Sequence, residues 1–139
     1  MKCTWLGLVV AVAGCEQIAI VDGTIVVDLQ TTPVVPAPIL VTSRGFARPD
    51  DTWDPVGETG QAIAEDFVPG RLAYHYRWEQ FGRPPHALYF AAFLDLDGNG
   101  VLSAHEPFGT FAANPMIDAR WGYSAAATTA DITINMTAP

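Results

Sequence analysis

Positive charge is scarce in this chain. Seven basic residues, only one of them lysine, stand against fifteen acids, for a formal charge of −8. No cluster of Lys or Arg is present, which excludes the phosphate contacts that nucleic-acid binding requires. Electrostatic attachment to anionic lipid is excluded on the same ground. Cysteine is equally sparse, with Cys3 and Cys15 alone, too few for a disulfide framework. The three histidines, His75, His86 and His105, show no zinc spacing, and no nucleophile motif is present. The adjacent acids Glu65 and Asp66 would point to opposite faces of a strand, which suits them poorly to joint acid–base work. The chain therefore reads as a non-enzyme. It has no internal repeat and no apolar run long enough to span a bilayer as a helix. Half of its 139 residues are hydrophobic and 16% are charged, a balance that argues against disorder and suits one domain with a real core.

What is present begins with a twelve-residue stretch, Asp95 to Glu106. Numbered from Asp95, it carries side-chain oxygens at positions 1, 3 and 5 (Asp95, Asp97, Asn99), a glycine at 6 (Gly100), Ser103 at 9 and Glu106 at 12. This is the spacing of a calcium loop. A hard cation takes six to eight oxygen ligands, and alternate residues of a tightly wound loop point inward together. Gly100 permits the reversal that a Cβ resists. The carbonyl of Val101 faces the ion in such a loop, Ser103 acts directly or through water, and Glu106 closes the shell with both oxygens. Leu102 is apolar and is expected to tie the loop to the core. The same residue types also make ion-free turns between strands, so the spacing gives a Ca²⁺ ligand set and no biological activity.

The first fourteen residues differ from the rest. Lys2 precedes an apolar run from Thr4 to Ala13, and Val12-Ala13-Gly14-Cys15 follows. About ten apolar residues suit the core of a signal peptide. Small residues leading into a cysteine resemble the lipobox of bacterial lipoproteins. The resemblance implies that residues 1–14 are a lipoprotein signal peptide and that Cys15 is lipidated as the first mature residue. The membrane is then a partner through that anchor. Two or three acyl chains hold firmly, because each buried CH₂ contributes about 0.8 kcal/mol. Glu16, where a sorting Asp would retain the protein at the inner membrane, points to the outer membrane of the bacterial cell envelope. Cys3 would leave with the signal, so Cys15 has no disulfide partner in this reading.

Along the mature chain, short apolar segments alternate with turn residues. Glu16 to Leu29 reads as one strand with a glycine in its middle, and Ile39 to Ser43 as a second. Arg44 to Gln61 is a long polar loop holding Asp50, Asp51, Asp54, Glu58 and Trp53. Its acids are candidates for extra ligands, although a solvated loop is the simpler account. Ala62–Phe67 and Leu72–Glu79 flank Pro69-Gly70, the composition of a type II turn, and so predict a hairpin. Leu72, Tyr74, Tyr76 and Trp78 fall on one face of the second arm. They are either the core side of a half-buried strand or a platform for sugar rings. His86 to Leu94 is apolar on both faces, as a central strand is. Asn114-Pro115 marks a turn. Met116–Ser124 and Asp131–Thr137 read as the last strands, with Ile132, Ile134 and Met136 alternating inward.

A helix-flanked EF-hand would need a helix leaving the loop, which Pro107 and Gly109 discourage. The expectation is therefore all-β: a single antiparallel β-sandwich of about seven strands, of Greek-key type, with an EF-hand-like loop between two strands. The stretch Phe90 to Gly109, in which the loop ends Glu106-Pro107-x-Gly109, resembles a segment of bacterial sandwich domains of the transthyretin-like and carboxypeptidase-regulatory type. That family often carries Asp and Gly where this chain has Ser103 and His105. The resemblance covers about twenty residues and implies a calcium-stabilised sandwich at residues 15–139. The expected function is a structural or adhesive envelope module with an unidentified protein or glycan partner. The alternatives are a carbohydrate- or peptide-binding module using Trp53, Trp78 or Trp121, and a single EF-hand-type calcium-binding protein.

Overall fold

A computed structural model of the chain describes residues 16–30, 37–46, 53–64, 70–81, 85, 87–116 and 128–139. Every regular element among them is a β-strand. In chain order these are β1 (Glu16–Val27), β2 (Ile39–Phe46), β3 (Gln61–Ala64), β4 (Gly70–Phe81), β5 (Ala87–Leu94), β6 (Pro107–Thr110), β7 (Thr128–Thr129), β8 (Ile132–Ile134) and β9 (Met136–Thr137). One sheet orders β4-β1-β7, with β8 also pairing β1; the other runs β3-β2-β5-β6-β9. The two sheets share one core. Ala19, Val21 and Ile25 of β1 and Tyr74 and Tyr76 of β4 meet Ile39 and Val41 of β2 and Leu88, Phe90, Ala92 and Leu94 of β5. The architecture is all-β, with two facing sheets as in a sandwich.

Local sequence explains most of these elements. β5 is apolar on both faces and lies in the middle of its sheet, with all eight residues buried. Phe90 and Phe93 are fully buried, each contributing about 1.5–3 kcal/mol through area removed from water. β4 alternates as its pattern predicts. Tyr74 and Tyr76 are buried and Leu72 and Trp78 half-buried, while Ala73, His75, Arg77 and Glu79 are exposed. Its aromatic stripe is thus core. β1 runs unbroken through Gly23, and the glycine serves a close approach: a Cβ there would meet the Ala130 carbonyl oxygen at 1.9 Å.

Three expectations are corrected. The described parts of the segments flanking Pro69-Gly70 do not pair as a hairpin: β3 pairs β2 in one sheet and β4 pairs β1 in the other. Pairing is not wholly antiparallel, since β7 and β8 both run parallel to β1. The final strand is split between sheets: β8 pairs β1 and β9 pairs β6. Ile132 and Ile134 are accordingly buried, but Met136 is 41% exposed. The chain changes sheets at Asn135, which ends the alternation. The acidic loop, by contrast, lies between two strands as expected: β5 leads into it and β6 follows. Of Met116–Ser124, Met116 bridges Leu88, and residues 117–124 lie outside the described residues.

The five-stranded sheet is buried on its outer face too. A second cluster there joins Leu40, Phe93, Leu102 and Ala138, with Val56 and Phe108 packed against it. The loop Asp95–Glu106 sits where this smaller core meets the end of β5.

Candidate metal centre

β5 delivers Asp95 to the sheet's end, and Glu106 returns the chain to β6. Between them, the carboxylates and the Asn99 side-chain oxygen are held by main-chain N–H groups. Asp95 Oδ1 accepts from Gly98 at 2.8 Å and Asn99 at 3.2 Å, and its Oδ2 accepts from Gly100 at 3.0 Å. Asp97 Oδ1 accepts from the Asn99 N–H at 3.0 Å. Asn99 Oδ1 accepts from Val101 at 2.6 Å. The Asn99 amide donates to Asp97 Oδ2 at 2.9 Å and to Ser103 Oγ at 2.8 Å. Ser103 Oγ in turn donates to the Val101 carbonyl at 3.2 Å. Gly100 has φ of +75°, which its missing Cβ makes inexpensive. Side chains at positions 1 and 3 thereby lie close to that of position 12, and the Asn99 amide lies against Asp97 and Ser103.

Glu106 does the closing. Its Oε1 accepts from Leu96 at 2.6 Å and its Oε2 from Ser103 at 2.9 Å. Asp95 is 6% exposed and Glu106 3%, whereas Asp97 is exposed. Oxygens of all three lie within 4.8 Å of one another. Among the described residues the ion pairs are Arg44–Glu58, His75–Asp22 and Arg77–Glu79, so no cationic side chain there neutralises the triad. Two buried carboxylates beside a third are costly unless hydrogen bonds or a cation compensate them, and main-chain N–H groups supply part of that compensation here. The donor set is all oxygen, which suits a hard ion. Asp95, Asp97 and Glu106 can hold a metal.

The loop is seated as Leu102 suggests. That side chain is fully buried in the second core. Two further contacts carry no sequence signal. Residues 57–60 run alongside 100–102, with Gly57 N–H donating to Leu102 O at 2.8 Å, Leu102 N–H to Glu58 O at 3.0 Å and Gly60 N–H to Gly100 O at 2.9 Å. The C-terminal segment clamps the exit: His105 N–H donates to Ala138 O, and Ala138 N–H to Glu106 O, both at 2.9 Å. Main-chain bonds of this kind leave no trace in side-chain patterns. Gly109, in the Glu-Pro-x-Gly ending, is required sterically, because a Cβ would meet the Thr133 carbonyl oxygen at 1.9 Å.

The other singled-out residues lie elsewhere. Asp54 Oδ1 accepts from the Val56 N–H at 3.0 Å, and Glu58 accepts from Arg44 at 2.6 Å, so both are engaged away from the triad. Asp50 and Asp51 lie outside the described residues, as do Glu65, Asp66, His86, Trp121 and Cys15. His75 Nδ1 bonds Asp22 at 2.5 Å on the outside of β4. Trp78 packs half-buried against the main core, and Trp53 stacks at a tilt on Tyr89 with centroids 5.4 Å apart. The large hydrophobic side chains exposed among the described residues are Leu96 and Met136, neither of them aromatic. Compared with known proteins, the chain matches no family model, no curated protein and no solved structure.

Proposed function

We propose that the loop Asp95–Glu106 is a calcium site. Asp95, Asp97, Asn99, Ser103 and Glu106 supply side-chain oxygens, and Val101 its carbonyl. The observation that carries the reading is the burial of Asp95 and Glu106 within 4.8 Å of each other and of Asp97, without a cationic side chain among the described residues. Calcium tolerates the irregular, many-ligand shell that an acidic loop of this length offers, whereas magnesium demands a tighter octahedron and keeps its waters. The chain is, in this reading, a lipoprotein of the bacterial envelope. Residues 1–14 are its signal, Cys15 carries the lipid, and residues 15–139 form one Greek-key sandwich of transthyretin-like type. Its role is a non-catalytic structural or adhesive module at the outer membrane. Extracellular calcium modules bind with a Kd of about 10⁻⁴ to 10⁻³ M, so the ion is a permanent support outside the cell.

Thermal unfolding in EDTA and again in excess calcium tests the site. At a calcium concentration near 100 Kd, linkage gives about 2.7 kcal/mol of added stability, and Asp95→Ala abolishes the gain. Superimposable melts would remove the calcium reading. The anchor is tested separately, by intact mass of the membrane fraction with and without Cys15→Ser. An unmodified chain bearing residues 1–14 would remove the lipoprotein reading.

A further inference from the structure

We propose that residues 53–60 form a strap over the outer face of the five-stranded sheet, and that ion occupancy of the acidic loop sets whether the strap is closed. The proposal rests on the calcium reading above. The strap covers a side chain that a solvated loop would leave wet: Tyr89 is 4% exposed. Trp53 stacks on Tyr89, which meets Phe46 edge-on at 5.3 Å. At the strap's other end Gly60 sits so close to the sheet that a Cβ would approach both Leu40 and the Phe93 ring at 2.7 Å.

Closure has an internal cost. Trp53 Nε1, in the strap itself, is buried without a hydrogen-bond partner, and such a group forfeits its bonds to water. Compensation comes from the acidic loop. Among the described residues, the three main-chain bonds between the strap and its surroundings all go to Gly100 and Leu102, and Thr59 bridges Val101. The remaining polar tie among the described residues is Arg44 to Glu58, with Arg44 57% exposed. Residues 100–102 lie inside the ring of ligands, between Asn99 and Ser103. Without an ion, the carboxylates of Asp95, Asp97 and Glu106 repel one another across the turn that carries those three residues. With one, the turn is pinned and so are the strap's acceptors. Ion loss thus converts a covered aromatic face, Trp53 on Tyr89, into an open one.

Amide hydrogen exchange of the full chain, in EDTA and in saturating calcium alone, tests this beside calorimetric titration. Protection of the Gly57 and Gly60 amides should rise about 5- to 150-fold, the ordinary range of coupling between sites. That rise should exceed the rise at Val21 in the main core. In Asp97→Asn, an exposed change that spares the fold, strap protection and binding heat should move together to higher calcium. Binding heat with Gly57 and Gly60 gaining no more than Val21 would overturn the strap and leave the calcium site standing. No binding heat would overturn both.

Discussion

Glu106, the twelfth residue of the acidic loop, accepts the main-chain N–H of Leu96, the second, at 2.6 Å. One buried carboxylate therefore joins the loop's two ends before any ion is considered. This separates Glu106 from Asp97, which shares the triad but is exposed.

The two acids should accordingly fail differently. In EDTA, Glu106→Ala loses charge-assisted bonds from Leu96 and Ser103 and should lower stability by about 1.5–3 kcal/mol. Asp97→Ala should stay within about 0.5 kcal/mol, as surface changes do. In calcium, both should lose the ion's added stability. Urea unfolding under the two conditions makes the comparison. Equal EDTA midpoints would mean that Glu106 serves the ion alone.

Leu102 ties the loop to the second core and is fully buried. Leu102→Ala removes that packing and leaves a cavity, which should cost about 2–5 kcal/mol. It should also weaken calcium binding, because the turn that carries Val101 loses its seat. Leu96→Ala, at a site 37% exposed, is the control and should change stability little. Wild-type calcium affinity in a folded Leu102→Ala chain would show that the loop is built without the core's help.

Tyr74 gives a pH dependence whose sign is fixed. Burial, then the nearby carboxylates of Asp131 and Asp22, push its phenol well above the ordinary value of 10. Between that value and the raised one, the unfolded chain loses a proton that the folded chain keeps. Stability is therefore intact below about pH 10 and declines above it, by about 1.4 kcal/mol per pH unit for one such group. Tyr76 is raised as well, by burial, with its bond to Ser43 opposing. Tyr74→Phe should flatten the decline. At neutral pH it should cost about 1 kcal/mol, through the lost 2.6 Å bond to the Ala130 carbonyl. Urea midpoints across the alkaline range measure both effects, and an unchanged slope would sink the assignment.

The acidic loop was legible because its information is local. Asp95, Asp97 and Glu106 declare their proximity through spacing alone, and Leu102 declares its burial by being apolar among polar neighbours. β5 and the inner face of β4 were legible for a similar reason, since alternation or its absence follows from which faces are dry. Pairing was not. Pro69-Gly70 has the chemistry of a tight turn, yet β3 gains more by joining β2, a choice made by distant residues. Met136 continues the alternation of Ile132 and Ile134 in sequence but not in space, because nothing in those residues announces the change of sheet at Asn135. The contact of Gly57 and Gly60 with the acidic loop is made by main-chain atoms, which every sequence has.

The wiring of β1 has a consequence for biosynthesis. Its flank is completed by β7 and β8, and the Thr24 N–H reaches an Asp131 carboxylate 107 residues along the chain. The exit of the acidic loop likewise waits for Ala138. Chains whose pairings close over such distances fold slowly, and this one cannot finish either sheet while residues 128–138 are still within the ribosome. A nascent chain halted before that point would hold Asp95, Asp97 and Glu106 with neither the clamp behind the loop nor the strands that complete β1. Any calcium site is then complete only once residues 128–138 have joined the sheets.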